Sequence, residues 1–577
     1  MLKNLNRYSR LITQKKDHGA AQAMLYALGL SKEDLKKPQI AIGSMWFDGN
    51  PCNSKLNVLS DITRKSINDR GYLGMRFNTI GVSDGMSMGT EGMRYSLPSR
   101  ELITDSIESI VRAQHYDGLV CIPGCDKNLP ASAMALARLN RPGFIIYGGS
   151  MQPSYFNNQK LDIVSAFESY GKFLNKDISE DEHNKIVENS CHKGCGSCSG
   201  LYTANTMATI LETMGLTIPN SSSNFSMSDE KILECKNSQI IIDTLLRKDI
   251  KPLDIMTKEA FINAIKMLYL TGGSTNGVIH LLAIAKTAKI DLKLDDFKNL
   301  EDIPVLLNMK PHGTNVMHDL YKLGGTSSFL KYLIENNIIN GDCLTVTGKS
   351  LWENVHTAED LDFNKQDVVL PLDSPFKQSS HIKILKGNLA PDGCVSKINS
   401  NNTNFTGKAL VFDTENEFLD SLEKGLVKRD NFIILRYQGE TIGCPEMLKP
   451  TSALSGYFNN DPPPLATDGR FSGGSKGVLV AHLPDAYKKG NLTSSIKNGT
   501  MIELDLKKGK INILAAEEMI EIGDTDLAFF GGGQQISTDL DRCKHIDNKF
   551  NKRDIELDGY LKKYSKLVTD IESGYLT

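Results

Sequence analysis

Three cysteines lie close together in the stretch Cys191-His-Lys-Gly-Cys195-Gly-Ser-Cys198. Such a cluster is either a set of metal ligands or a set of buried apolar side chains, and a lone cysteine is more often the latter. The spacing C-x3-C-x2-C is that of a radical iron–sulfur site that uses S-adenosylmethionine, in which all three thiolates hold one cluster. The motif is short, and chance matches occur. The pattern alone leaves both interpretations open.

A competing interpretation uses cysteines that are distant in the sequence. Cys52 lies in a turn-like tetrapeptide, Asn-Pro-Cys-Asn, and Cys125 follows a short apolar segment directly. Cys198 precedes a predicted helix over 199–214, and the amides at the start of a helix favour a thiolate. Three loops at one sheet edge could bind a cluster through one cysteine each. The spacing cannot show this, because successive cysteines of this set are 73 residues apart.

Three carboxylates lie in loop-like segments and could hold a hard cation. Asp84 lies in a turn, Asp126 follows Cys125 directly, and Glu446 lies in Gly-Cys-Pro-Glu-Met. A single loop carboxylate is more often a helix cap or a solvated charge. Together they could bind Mg²⁺, which prefers oxygen ligands and keeps waters that a substrate can replace.

A glycine-rich loop runs from Asp468 to Gly477 and contains Ser472. The loop is not a Walker phosphate loop, because Ser475 stands where that pattern requires lysine. Its backbone amides could form an anion-holding nest, with Ser472 exposed. No histidine neighbours Ser472 in the sequence, so a serine–histidine–aspartate triad has no local support.

The elements that must position these residues alternate between helix and strand in the first part of the chain. Residues 105–114 and 131–139 have helical periodicity, and 118–123 and 143–148 are short apolar strands. This alternation predicts a parallel α/β sheet. Ligands of such sheets bind beyond the carboxyl ends of the strands.

The pattern changes after about residue 351. A proline-containing linker is predicted over 368–375, and a helix over 558–571. Short strands separated by turns are predicted between them, over 409–412, 432–435, 501–506 and 511–514. We therefore predict a large N-terminal parallel-sheet α/β domain over 1–365 and a C-terminal β-rich, barrel-like domain with helices over 366–577.

Composition excludes several classes of function. The 577 residues include 66 basic and 69 acidic side chains, a formal charge of −3, so neither nucleic acid nor a membrane is an expected partner. No apolar run approaches the length of a membrane span. Eleven cysteines, an odd number, indicate reduced thiols and a cytoplasmic location. The start is basic, with its first acid at Asp17, which leaves a short transit peptide as the alternative.

Taken in order, the motifs resemble a family of dehydratases that comprises dihydroxy-acid, sugar-acid and 6-phosphogluconate dehydratases. They span nearly the whole chain: Asn50-Pro-Cys-Asn53, Phe77-Asn-Thr-Ile-Gly-Val-Ser-Asp84, Ser87-Met-Gly-Thr90, Ile122-Pro-Gly-Cys-Asp-Lys-Asn128, Ser197-Cys-Ser-Gly-Leu-Tyr-Thr-Ala-Asn-Thr-Met207, Thr271-Gly-Gly-Ser-Thr-Asn276, Cys444-Pro-Glu-Met-Leu448 and Thr467-Asp-Gly-Arg-Phe-Ser-Gly-Gly474.

Cys-Asp-Lys at 125–127 and the segment 141–149 favour the branched-chain, dihydroxy-acid group. Ala131, Thr441-Ile442 and Ser199 depart from its pattern, and Ala131 is similar to the sugar-acid relatives. A sugar-acid dehydratase is therefore the alternative.

The resemblance implies a role for each site residue. Cys52, Cys125 and Cys198 would hold an iron–sulfur cluster, [2Fe-2S] with [4Fe-4S] as the alternative, and Cys191 and Cys195 would not be ligands. Mg²⁺ would be held by Asp84, Asp126 and Glu446, together with Lys127 as its carbamate. Ser472 would be the base.

The resemblance further implies a homodimer that dehydrates 2,3-dihydroxy-3-methylbutanoate and its 3-methylpentanoate homologue to 2-oxo acids for valine, leucine and isoleucine synthesis. An electron-transfer iron–sulfur protein, which requires a fourth cysteine ligand, is the non-catalytic alternative.

Overall fold

A four-stranded parallel sheet forms the centre of the N-terminal region in the computed structural model, which describes residues 5–398, 404–514 and 555–577. Its strands are β1 (Gln39–Ser44), β2 (Leu73–Asn78), β3 (Gly118–Ile122) and β4 (Gly143–Ile145). The strand order is β2-β1-β3-β4, and every neighbouring pair is parallel. β1, β3 and β4 are buried along their whole length, as expected of a parallel sheet covered on both faces. The predicted N-terminal fold class is confirmed.

Helices surround this sheet, and a two-stranded hairpin of β5 (Ser154–Phe156) and β6 (Gln159–Leu161) follows β4. The helices are α1 (Arg10–Gln14), α2 (Gly19–Ala27), α3 (Leu56–Asp69), α4 (Asp84–Ser87), α5 (Ser96–Ala113), α6 (Asn128–Leu139), α7 (Ile163–Leu174), α8 (Glu180–Asn189), α9 (Thr203–Thr213), α10 (Asp229–Lys248), α11 (Pro252–Ile255), α12 (Lys258–Leu270), α13 (Asn276–Thr287), α14 (Leu294–Lys298), α15 (Met317–Tyr321), α16 (Gly325–Glu335) and α17 (Leu351–Val355).

The main core lies between this sheet and its helices. The strands contribute branched and aromatic side chains such as Ile40, Val120 and Phe144, all fully buried. α6, α9 and α13 are buried over most of their length, so these helices form a second layer behind the sheet. The predicted linker packs on a neighbouring core, since Val368 and Val369 are buried there and Val369 pairs with Leu307.

An eight-stranded mixed sheet forms the C-terminal region. The elements are β7 (Ile382–Leu385), β8 (Cys394–Ile398), β9 (Asn404–Phe412), α18 (Glu415–Glu423), β10 (Asn431–Leu435), α19 (Leu448–Tyr457), β11 (Leu465–Thr467), β12 (Val478–Ala481), β13 (Met501–Asp505), β14 (Lys510–Leu514) and α20 (Gly559–Leu567). The strand order is β14-β13-β9-β10-β11-β12-β8-β7. Lys386, directly after β7, pairs with Lys510 of β14, so the two edges meet and the sheet is nearly closed. The predicted barrel-like class is confirmed.

Several predicted element boundaries are wrong. The helix predicted from residue 199 begins at Thr203, because the backbone of Ser199 and Leu201 instead bonds to Met317 and Lys310. The last helix ends at Leu567 rather than at Ile571, since Val568 is extended. No helix in the described part of the chain has the length and apolarity needed to cross a membrane.

Candidate active site

The predicted site residues of the N-terminal region lie in loops that leave the carboxyl ends of the parallel strands. Cys52 follows β1, Asp84 follows β2, and Cys125, Asp126 and Lys127 follow β3. The chain passes from β1 outward to β2 and then crosses to β3 on the other side. This reversal makes the β1–β3 gap a topological switch point, where open α/β sheets bind their ligands.

Cys198 lies beside the Cys125 loop because its segment hydrogen-bonds to the loop after β4. The backbone of Ser197 pairs with that loop: its carbonyl accepts from Met151 at 2.7 Å, and its amide donates to Gly149 at 3.0 Å. The Ser197 hydroxyl also donates to the carbonyl of Gly124, which precedes Cys125. These bonds fix Cys198 beside the β3 loop, although its helix begins only at Thr203.

The three thiols form one group, in which Cys125 is buried and Cys52 and Cys198 are partly exposed. A hydrogen bond to the Cys125 thiol, burial and the charges of Cys125 and Cys198 raise the pKa of Cys52. Burial also raises the pKa of Cys198. The expected helix start beside Cys198 is wrong, because that helix begins only at Thr203. Thiols in this environment ionise when a cation binds them. Three converging sulfur donors are the ligand chemistry of an iron–sulfur cluster.

The other two cysteines of the close cluster lie apart from this group or at its edge. Cys195 contacts the Ser226 hydroxyl at 3.4 Å. Cys191 lines the pocket described below, and its charge raises the pKa of Cys198 after the larger effect of burial. The fold therefore brings Cys198 of the short motif together with Cys52 and Cys125, which are distant in the sequence.

Asp84, Asp126 and Glu446 form a second group, in which the nearest carboxylate oxygens all lie within 4.8 Å of one another. The Lys127 ammonium lies among them, with Nζ 2.8 Å from Asp84, 2.8 Å from Asp126 and 3.2 Å from Glu446. The lysine is only 1% exposed. An all-oxygen donor set of this size suits a hard divalent cation such as Mg²⁺.

Residues without a predicted role hold this acidic group in place. Arg470 forms an ion pair with Glu446 and donates to the Ser96 hydroxyl at 2.9 Å. That hydroxyl donates to both carboxylate oxygens of Asp84 at 2.8 Å. The Asn276 amide donates to Glu446 at 2.7 Å. Both Arg470 and Asn276 belong to the sequence motifs, and this membership was the only signal available for them.

Burial and charge act against each other on these groups. Burial alone would raise the pKa of Asp84, but the charges of Lys127 and Arg470 lower it. Burial, with the charge of Asp84, raises the pKa of Asp126 to about 7. Burial and Arg470 act to lower the pKa of Lys127, and the three carboxylates outweigh them and raise it. The carboxyl of Asp126 therefore gains or loses its proton near neutral pH, and a dication bound there would displace that proton.

A pocket of about 290 Å³ connects both groups. Cys52, Cys125, Cys198, Asp84, Asp126, Glu446 and Ser472 line it, so it contains the predicted site residues except Lys127, which lies behind the carboxylates. Its remaining wall is largely apolar, with Met86, Met88, Met151, Ile163, Val164, Phe167 and Leu448, and it also includes the polar side chains of Ser83, Tyr202, Thr203 and Asn205. Ser472 is half-buried at the edge of a tight turn, whose Ser475 amide donates to the Ser472 carbonyl at 3.1 Å.

The fold and this pocket are those of an enzyme for a small molecule: an α/β sheet and a barrel-like sheet enclose a cavity with reactive groups. Family models for the N-terminal and C-terminal parts of dihydroxy-acid/6-phosphogluconate dehydratases match residues 37–354 and 367–575. The chain belongs to this dehydratase family and is a hydro-lyase.

Curated relatives agree with this assignment. The chain is 45% identical to a dihydroxy-acid dehydratase of Francisella tularensis subsp. novicida over 582 residues, which cover 100% of both chains. It is 47% identical over 528 residues to the mitochondrial dihydroxy-acid dehydratase of Saccharomyces cerevisiae, covering 89% of this chain and 90% of the relative. A mitochondrial dihydroxy-acid dehydratase of Aspergillus terreus is 46% identical over 580 residues, with 99% and 93% covered.

Proposed function

We propose that this chain is a dihydroxy-acid dehydratase that converts 2,3-dihydroxy-3-methylbutanoate and 2,3-dihydroxy-3-methylpentanoate to the corresponding 2-oxo acids, in valine, leucine and isoleucine biosynthesis. The full-length identity to relatives of that name supports the reaction class. The observation that carries the proposal is one pocket that combines thiols, carboxylates and a serine with an apolar wall.

The two donor groups support two cofactors. Cys52, Cys125 and Cys198 would hold a [2Fe-2S] cluster through three thiolates. Asp84, Asp126 and Glu446 would hold Mg²⁺. When bound, these groups supply a Lewis-acidic iron with an open position and a dication that stabilises negative charge on the substrate oxygens.

Lys127 would complete the Mg²⁺ site as a carbamate. The Lys127 ammonium first loses one proton to water. The free amine nitrogen then bonds to the carbon of CO₂ and loses a second proton, while one C–O π pair becomes a lone pair on oxygen, so a positive group becomes a negative oxygen donor. As an ammonium, Lys127 lies among the three carboxylates and would repel a dication there. Carboxylation removes this repulsion, and the same side chain then contributes ligand oxygens.

Ser472 would remove the proton from C2 of the substrate. The electron pair of that C–H bond forms the C2–C3 double bond, the C3 hydroxyl leaves and is protonated to water, and the resulting enol tautomerises to the 2-oxo acid. A serine must ionise to act as this base, which requires about 8 kcal/mol for roughly six pKa units. Because Ser472 lines the same pocket as Asp84 and Glu446, a bound dication would supply that stabilisation.

The apolar wall favours branched-chain substrates over sugar acids. A sugar acid carries hydroxyl groups along its chain, and each would lose hydrogen bonds to water against side chains such as Ile163, Val164 and Phe167. The alkyl ends of the dihydroxy-methyl acids gain from the same contacts. One methylene changes binding by only about 1–3 kcal/mol, so one pocket accommodates both homologues.

Anaerobic turnover assays test the proposal on enzyme reconstituted with iron, sulfide and Mg²⁺. We expect 2-oxo acid from 2,3-dihydroxy-3-methylbutanoate, with a kcat/KM that exceeds that for a pentonate by at least about a hundredfold. Faster dehydration of the pentonate would assign the sugar-acid activity instead. No dehydration of either acid by cluster-loaded protein would contradict the proposed function.

A further inference from the structure

The turn that carries Ser472 is pressed against the start of α9. A Cβ atom added to Gly473 would lie 2.8 Å from Cα of Tyr202 and 2.9 Å from the amide nitrogen of Thr203. One added to Gly474 would collide with the side chain of Val164. These glycines let the turn approach the backbone of the N-terminal region more closely than any other residue would. One side of the turn is therefore fixed by contact.

The turn is also held by Lys397, a residue of β8. The side chain is fully buried, and its Nζ donates to the carbonyl oxygen of Gly473 at 2.7 Å. β8 lies between β7 and β12 in the barrel-like sheet, so its backbone is fixed by strand pairing on both sides. Burial, with a smaller contribution from Lys476, lowers the pKa of Lys397 to about 7. Burying a lysine costs free energy because its amine loses hydration. The Lys397 amine instead donates a hydrogen bond to the residue next to Ser472.

We propose that Lys397 is a positioning residue for Ser472, because its hydrogen bond to the Gly473 carbonyl fixes the turn that presents the serine to the pocket. The inference rests on the proposed function, in which Ser472 is the base. An amine donates a hydrogen bond whether it is protonated or neutral, so the role holds on both sides of neutral pH. The ligand residues for the two cofactors lie on other elements, so loss of this bond leaves them in place.

The variant Lys397→Met tests the role, since methionine keeps much of the length and removes the donor. We expect kcat to fall about tenfold to a hundredfold, as misplacement of a reacting group by about 1 Å does. KM, iron, sulfide and Mg²⁺ contents are expected to stay at wild-type values. Lys510→Met, at an exposed lysine of β14, is the matched control and should leave kcat unchanged.

A double-mutant cycle with Ser472→Ala separates the two proposals. If Lys397 acts through Ser472, the double variant turns over no more slowly than Ser472→Ala alone. Near-full turnover by cluster-loaded Ser472→Ala would contradict the base assignment of the proposed function. Loss of turnover in Ser472→Ala, with wild-type kcat in Lys397→Met or with multiplying effects in the double variant, would overturn the role of Lys397 alone.

A second substitution decides the matter if Lys397→Met does not fold. Lys397→Gln keeps a donor on a shorter side chain, which weakens the bond to Gly473 without leaving an apolar group there. A reduced kcat with unchanged KM and cofactor content supports positioning. An unchanged kcat, or a loss of activity that only follows a loss of cofactor, overturns it.

Discussion

At the scale of single residues, the acidic group is a balance of buried charges. Asp84, Asp126 and Glu446 together carry up to three negative charges, the third only when Asp126 is ionised, and Lys127 and Arg470 carry two positive ones within the same contacts. All five side chains are buried. Each charge is stable there only because its partners remain, since an ion left alone in a protein interior loses its hydration without compensation.

Arg470→Met should therefore destabilise the metal-free protein strongly. The change leaves Glu446 without its ion pair and Ser96 without a donor, which we expect to cost about 3–5 kcal/mol in the free energy of unfolding. Arg429→Met is the matched control, because its partner Asp461 is 85% exposed and such pairs contribute about 0–1 kcal/mol. Urea unfolding measures both. Equal effects of the two substitutions would show that the buried network contributes little.

Residue identities could be predicted from the sequence, but their proximity could not. Chain spacing linked Cys198 to Cys191 and Cys195, whereas the structure groups it with Cys52 and Cys125 through the fold. The sequence offers those distant cysteines only as one of two open interpretations, and the family resemblance favours it. Arg470 and Asn276 were missed because a buried arginine or amide has no sequence pattern that separates it from a surface one.

At the scale of elements, the approach of two loops decides whether the thiols meet. Gly124, in the loop after β3, lies directly against the loop after β1. A Cβ atom there would collide with the carbonyl oxygen of Cys52 and lie 3.0 Å from its carbonyl carbon. The neighbour is backbone, which cannot rotate away. A glycine is therefore required where the Cys52 and Cys125 loops pass each other.

Gly124→Ala should separate these loops and weaken cluster binding about tenfold to a hundredfold, the usual effect of disturbing the support of a metal ligand. Iron and sulfide content after anaerobic reconstitution, with the visible absorbance of the cluster, measures the loss. Gly19→Ala is the control, since a Cβ there meets nothing within 4 Å. Wild-type cluster content in Gly124→Ala would show that the two loops need not touch.

Element types were easier to predict than element ends. The strand–helix alternation before residue 150 is confirmed, because strands buried on both faces of a parallel sheet are continuous apolar runs that the sequence shows directly. The start of α9 was misplaced by four residues, since Ser199 and Leu201 bond to distant loops. Tertiary hydrogen bonds of this kind override local helix propensity, and no local pattern reports them.

At the scale of the whole molecule, the acidic group joins two regions of the chain. Asp84 and Asp126 belong to the parallel-sheet region, and Glu446 to the barrel-like region. Further bonds cross the same boundary, from Arg470 to Ser96 and from Asn276 to Glu446. A cation bound by all three carboxylates would hold the regions together, so its binding should stabilise the entire fold.

Mg²⁺ added to the metal-free protein should therefore raise its free energy of unfolding, by about 2.7 kcal/mol at one hundred times the dissociation constant. The effect should be larger at pH 8 than at pH 6. Asp126 has a pKa raised to about 7, so below that value Mg²⁺ must displace its proton, and above it the carboxylate is already ionised.

The thermal midpoint, measured with and without Mg²⁺ at both pH values, reports the stabilisation. Glu446→Gln should lose most of it, whereas Glu423→Gln, at an exposed position of α18, should keep it. Equal stabilisation of the Glu446→Gln and Glu423→Gln variants would place the cation elsewhere in the molecule.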